Sequence, residues 1–154
     1  MNENYQIDDV DRKILTYLQE DARMPYLDIA RKLVVSGGTI HQRVDRLKKM
    51  GIIKGSRVIL DPTKLGHDVS VFLGVHLISG KNLNEVIEKM RKLKEIQEVH
   101  YTTGDYGLLI KVTTKSIQHF HEFLVNELQA MEEVRATESF VILDSPIGTP
   151  SFSI

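Results

Sequence analysis

From Ser36 to Gly51 the chain reads SGGTIHQRVDRLKKMG, and two sets of residues in it separate at the helical period. Ile40, Val44 and Leu47 share one narrow stripe, whereas Thr39, Gln42, Arg46 and Lys49 share the stripe opposite. The second stripe has the chemistry to read a nucleic acid. An amide such as Gln42 pairs both polar groups on the edge of adenine, a guanidinium such as Arg46 pairs those of guanine, and Thr39 and Arg43 suit bases or phosphates. Ser36 is placed to cap the helix by accepting a bond from an orphan backbone N–H. With Gly38 it completes the candidate surface at the helix start. Lys49, together with Lys54 and Arg57 just beyond, should hold phosphates and lose that contribution as salt rises. The same pattern also describes a solvated face on an ordinary amphipathic helix, so the preceding residues carry weight.

Those residues supply the frame. Val10, Ile14 and Leu18, with Leu15 beside them, predict a helix from Ile7 to Glu20, started by Asp8 or Asp9 as cap and by Asp9 and Asp11 at the positive end of its dipole. After a break at 21–25, Ile29, Ala30 and Leu33 predict a short second helix to about Val34. Val35-Ser36-Gly37-Gly38 then forms a junction tight enough for a helix-turn-helix. Gly51 is expected to end the third helix in a left-handed cap, and IIKGSRVIL reads as a strand or small wing.

The charge is local. The net value is −1 for 154 residues, yet residues 31–60 hold 8 basic and 1 acidic side chains, against 3 and 7 in residues 1–30 and 9 and 13 in residues 61–154. A basic patch on an otherwise acidic molecule suits a module that docks on phosphates through one surface. The absence of cysteine rules out disulfides, thiolate metal sites and a cysteine nucleophile. No apolar run reaches the ~20 residues of a membrane span, and the N-terminal residues do not resemble a leader, so a cytoplasmic protein without membrane attachment is expected.

DPTKLGHD, residues 61–68, reads as a linker between a helix-turn-helix domain over 1–60 and a second domain over 69–145. In the second domain VSVFLGVHLI alternates, with Val71, Leu73, Val75 and Leu77 on one face and Ser70, Phe72, Gly74, His76 and Ile78 on the other. A helix over 82–93 follows, capped by Asn82 and Glu85. Two strands, IQEVHYTT and GLLIKVTT, are joined at Gly104-Asp105-Tyr106-Gly107. A helix capped by Ser116 then buries Ile117, Phe120, Leu124 and Leu128, and VRATESFVIL is the last strand. The order βαββαβ predicts an α+β fold: a three-helix, winged helix-turn-helix domain followed by a ferredoxin-like sandwich with two helices on one face of an antiparallel sheet. The uncovered face, with Phe72 and Ile78, should pair with a second copy. Residues 146–154 lack any period and read as a loose tail.

Catalytic and metal chemistry find little support. His119 and His121 stand two apart on a helix and point in different directions, and His76 and His100 read as packed or solvated strand residues. Neither a metal nor a cofactor is expected.

With these residues in place, the chain resembles the Lrp/AsnC family of transcription regulators. The resemblance is carried by IDDVDRKIL with LQEDAR, VSGGTIHQRVDRLKKMGIIKG, LGHDVSVFLGV, VHYTTGDYGLLIKV and VRATESFVIL, in the family's order over nearly the whole chain. One departure is Ser36-Gly37 where the family often has Ser-Pro, which removes proline's fixed φ from the first turn. The resemblance implies double-stranded DNA as partner, homodimers that assemble further to octamers, and a small amino-acid effector bound between dimers, with asparagine favoured. It places the effector at the YTTGDYG turn: Thr103, Gly104, Asp105 and Tyr106, with backbone N–H groups for the carboxylate and Asp105 for the ammonium or side chain, and with hydroxyls from Thr137 and Ser139. Without the family, the same glycine–aspartate pair is what a tight turn prefers on steric grounds. Two alternatives stay open: an architectural protein that wraps DNA with little sequence choice, and a haem-pathway decarboxylase of related fold in which His100 would face a tetrapyrrole.

Overall fold

The computed structural model describes residues 6–147, the side chain of Asn82 apart. Contacts divide the chain between Ile59 and Leu60 into two compact units.

The first unit holds three helices: α1 (Asp9–Glu20), α2 (Tyr26–Leu33) and α3 (Gly37–Lys49). Asp8 caps α1 in a reciprocal box. The Asp11 N–H donates to its carboxylate at 2.9 Å, and its own N–H donates to Asp11 at 3.2 Å. Ile14, Ile29, Ala30, Ile40 and Val44 form the core between the helices, and each large aliphatic side chain so buried contributes about 1.5–3 kcal/mol. The turn into α3 differs from the expected one. Gly37 and Gly38 lie inside the first turn of α3, and the left-handed residue is Val34, at φ 55° and ψ 46°. That conformation lets the Val35 N–H close on the Ala30 carbonyl at 3.0 Å, which ends α2 and turns the chain.

Gly51 adopts φ +72° after α3. The Ile52 N–H bonds the Leu47 carbonyl at 3.0 Å and the Gly51 N–H bonds Lys48 at 2.9 Å, the paired closure of a left-handed cap. The expected wing is not formed. From Lys54 to Asp61 the chain is irregular, with Val58, Ile59 and Leu60 exposed. A strand exists only against a partner ladder, and the strands among the described residues all belong to one sheet in the second unit.

That unit runs β1 (Val69–Leu77), α4 (Leu83–Met90), β2 (Ile96–Tyr101), β3 (Leu108–Thr114), α5 (Ile117–Phe123) and β4 (Val134–Val141). The antiparallel sheet has the order β2-β3-β1-β4, the ferredoxin-like arrangement. Val71, Leu73 and Val75 are fully buried with Leu108, Ile110, Val112, Val86 and Met90 beneath the helices, so the alternation assigned the right face inward. A register shift after His76 ends β1 at Leu77 and leaves Ile78 outside the ladder. Gly80–Asn82 is a 3-10 turn started by Ser79, and α4 stops at Met90, short of the expected 93. The expected cap by the Asn82 side chain lies outside the described residues. Ser116 caps α5 as expected, but Ile117 is exposed and Phe123 takes the inward place. A π-helical turn at Leu124–Leu128 then widens the spiral and returns Leu128 to the core. Most of the tail falls outside the described residues.

Candidate nucleic-acid interface and effector turn

On α3 the inward stripe of Ile40, Val44 and Leu47 is fully or almost fully buried. Ser36 accepts the Thr39 N–H at 3.1 Å, and the two hydroxyls of Ser36 and Thr39 lie 2.8 Å apart, so the first turn is closed by side chains in the absence of proline. Gln42, Arg46 and Lys49 are exposed on the opposite face, Gly38 is exposed at its start, and Thr39 is half-buried. Lys54 and Arg57 are exposed in the irregular segment that follows.

Arg43 departs from its expected role. Its Nη1 donates to Asp8 Oδ2 at 2.7 Å and to Asp11 Oδ1 at 2.9 Å, and the Asp11 side chain is fully buried. The bonds to Asp11 and Asp8 raise the guanidinium pKa further. The backbone bond from Asp11 and the bond from Arg43 lower that of Asp8. Arg43 is therefore turned toward the body of the unit and clasps α3 to the first turn of α1. Its place one turn from both Ile40 and Leu47, at the edge of the buried stripe, was a signal available in the sequence. The identity of its partners, 32 and 35 residues away, was not.

In the second unit the turn between β2 and β3 is closed from Thr102. Its N–H donates to the Gly107 carbonyl at 3.3 Å and its hydroxyl donates to the Tyr106 carbonyl at 2.8 Å. Gly104 stands at φ +107°, a conformation that side-chain-bearing residues rarely adopt, and Thr103, Gly104 and Asp105 are exposed. Tyr106 folds onto the open face of the sheet. Its hydroxyl donates to Glu138, and its ring lies 5.1 Å from His76 and 6.4 Å from Phe140. The Glu138 bond, with some burial, raises the pKa of the phenol.

Thr137 and Ser139 do not join this group. They pair with Val75 and Leu73, whose side chains face the helices, and Thr137 accepts a bond from Gln129 at 3.0 Å. Strand alternation puts Glu138 and Phe140 on the side of Tyr106 and the two hydroxyls on the other. Glu138 was therefore the β4 residue that sequence reasoning missed: its alternation with Thr137 and Ser139 was legible, but its place opposite Gly74 is set by the register of β4 against β1.

Comparison with known proteins matches both units. Residues 7–48 match the AsnC-type helix-turn-helix domain and residues 70–152 match the Lrp/AsnC ligand binding domain. Regulatory protein AsnC of Haemophilus influenzae is 43% identical over 143 residues, covering 93% of this chain and 95% of that protein. The chain belongs to the Lrp/AsnC family. Regulatory protein AsnC of Escherichia coli K12 is 42% identical over 145 residues, covering 94% and 95%. The structure of E. coli AsnC superposes with a TM-score of 0.89 at 39% identity over 96% of this chain and 99% of that one. A transcriptional regulator of Neisseria meningitidis in complex with L-Met shares the fold, with a TM-score of 0.90 at 23% identity over 96% of each chain.

Membership of this family makes the protein a DNA-binding transcriptional regulator with a ligand-binding domain, not an enzyme. That sets aside the decarboxylase alternative. His100, its candidate residue, lies 3.1 Å from Glu98 on the open sheet face. His119 lies 3.4 Å from Glu95, and among the described residues no group of three or more His, Asp or Glu side chains is arranged to hold a metal. No described helix is long and apolar enough to cross a membrane.

Proposed function

We propose that this regulator recognises specific operators through Gln42 and Arg46 and that its DNA binding and assembly respond to a small amino acid, with asparagine favoured. The observation that carries the reading is the polarity of α3: one stripe fully packed, the opposite one exposed, polar and basic, and the whole helix fixed to α1 by the Arg43 clasp. Such a helix meets base edges through Gln42 and Arg46 and phosphates through Thr39, Lys49, Lys54 and Arg57. Ser36 and Gly38 let the backbone at its start approach a phosphate. Arg43 serves by holding the helix, not by contact.

Homodimers that pair through the open sheet face, where Phe72 and Phe140 are exposed, would present two such helices to half-sites about one helical turn, or a multiple of it, apart. Assembly of dimers to an octamer would present several pairs and bend the duplex. The effector lies at the 103–106 turn, its carboxylate on backbone N–H groups near Gly104 and its ammonium or donor-bearing end on Asp105. Thr137 and Ser139 face the helices and leave the proposed site. Likeness to proteins named AsnC supports asparagine. A coupling of ~1–3 kcal/mol between turn and operator is enough to change affinity several-fold to about a hundredfold. The setting proposed is the cytoplasm.

Binding to the DNA upstream of the protein's own gene, compared with a scrambled duplex at one salt concentration, tests the first part. Arg46→Ala should cost about 1–3 kcal/mol on the specific fragment and relax selectivity, whereas Lys54→Ala should weaken both duplexes alike. Equal affinity of the unmutated protein for the two duplexes would favour the architectural reading. A thermal-shift screen of the twenty amino acids, L-Met included, tests the second part. The stabilisation by asparagine should be lost in Asp105→Ala.

A further inference from the structure

Gly74 sits in the middle of β1, buried, where a glycine weakens a strand and normally marks a close approach by something else. Here the approaching group is the Tyr106 ring. A Cβ at position 74 would stand 2.5, 2.6 and 2.7 Å from ring atoms Cδ1, Cε1 and Cγ. These are atoms of the body of a rigid ring, not the end of a flexible chain, so the ring and a side chain cannot share the place. The ring is also held from the sides. His76 and Phe140 flank it, and Glu138, directly across from Gly74 on β4, accepts its hydroxyl bond. Thr102 holds the carbonyl of the same residue. The exposed tip, Gly104 and Asp105, therefore stands on a support built almost entirely by residues distant in sequence.

We propose that Tyr106 is a positioning residue of the effector site, not an effector ligand, and that Gly74 and Glu138 set effector affinity by seating its ring on the sheet. The inference rests on the reading of the turn as the amino-acid site and adds what governs that site. With the seat intact, the backbone N–H groups at Gly104 and the Asp105 carboxylate are held ready, and the ligand need not order the turn. With the seat blocked, the turn samples other conformations, and apparent affinity falls in proportion to the competent fraction.

The full-length protein labelled with 3-fluorotyrosine carries five tyrosines, and the fluorine resonance of Tyr106 is the one absent from Tyr106→Phe. Gly74→Ala should move that resonance, leave those of Tyr17 and Tyr26 in place, and lower affinity for L-asparagine about tenfold if one molecule in ten stays competent. Glu138→Ala should lower it about threefold, and Glu138→Gln, which keeps an acceptor oxygen, should recover most of that loss. The double variant Gly74→Ala/Tyr106→Ala removes the collision, so it should fold where Gly74→Ala does not, and it should bind asparagine no better than Tyr106→Ala. Unchanged asparagine affinity in Gly74→Ala, or affinity equal to that of the unmutated protein in the double variant, overturns the seating proposal and leaves the effector site standing. If the unmutated protein binds none of the twenty amino acids, the effector reading falls and the seating proposal falls with it.

Discussion

Helix α3 and the 102–107 turn each hold a few polar side chains away from a platform, but the platforms differ in kind. The helix is held several times over, by a buried aliphatic stripe, by caps at both ends and by an arginine bonded to two carboxylates of α1. The turn is held mainly by one ring seated on one glycine between His76 and Phe140, with a hydroxyl bond to Glu138 and two bonds from Thr102. Redundant support gives one geometry, which the proposed base reading needs, because a misplaced fork pairs with nothing. A turn that rests mainly on one ring keeps its geometry only while that ring is seated, so a change at a single residue can release it.

Removing the clasp should have the largest effect. Arg43→Ala leaves the buried Asp11 carboxylate without its guanidinium and should destabilise the helical unit by roughly 3 kcal/mol, read as a lower urea midpoint. Operator affinity should fall with it while the Tyr106 fluorine resonance stays in place. A loss below about 0.5 kcal/mol would mean that the helix is not held as described. Val34→Asn should act in the opposite direction. A β-branched residue at φ 55° is strained, and Val34 is 90% exposed, so little packing is lost; a gain of about 1 kcal/mol is expected, with operator affinity retained. A lower melting temperature would show that Val34 has a contact worth more than its strain.

The smallest effect separates the two platforms by pH. Asp8 has its folded pKa held below the ordinary 3.8, first by the backbone bond from Asp11 and then by Arg43. Its contribution is therefore fully present above pH 3.8 and is lost as pH falls through the lower folded value. Comparing urea midpoints at pH 6 and pH 3, the unmutated helical unit should lose more than Asp8→Asn, which still caps α1 but does not titrate. Equal losses would remove Asp8 from the acid response.

Much of this was legible in the residues alone. The stripe of α3, the caps at Asp8, Ser36, Gly51 and Ser116, the inward parity of Val71, Leu73 and Val75, and the βαββαβ order all follow from contacts within a few residues or from a simple period. The misses share another cause. Local preference puts the turn into α3 at Gly37 and Gly38, whereas the left-handed conformation falls on Val34 and both glycines lie in the first turn of the helix. The wing needs a ladder that the described residues do not offer. Thr137 and Ser139 were placed on one face correctly, but which face depended on the register of β4 against β1.

The sequence by itself determined the elements, their order and the side each one buries, because these depend on periods and on backbone groups a few positions apart. Only the tertiary structure decided which arginine of α3 is tied to the first turn of α1, and why a strand carries a glycine. Arg43 and Arg46 are the same residue type three positions apart, and what turns Arg43 inward is a pair of carboxylates more than thirty residues away. Gly74 and Tyr106 are paired by the fold of a sheet, and the exclusion of one atom by another has no trace in the spacing of either.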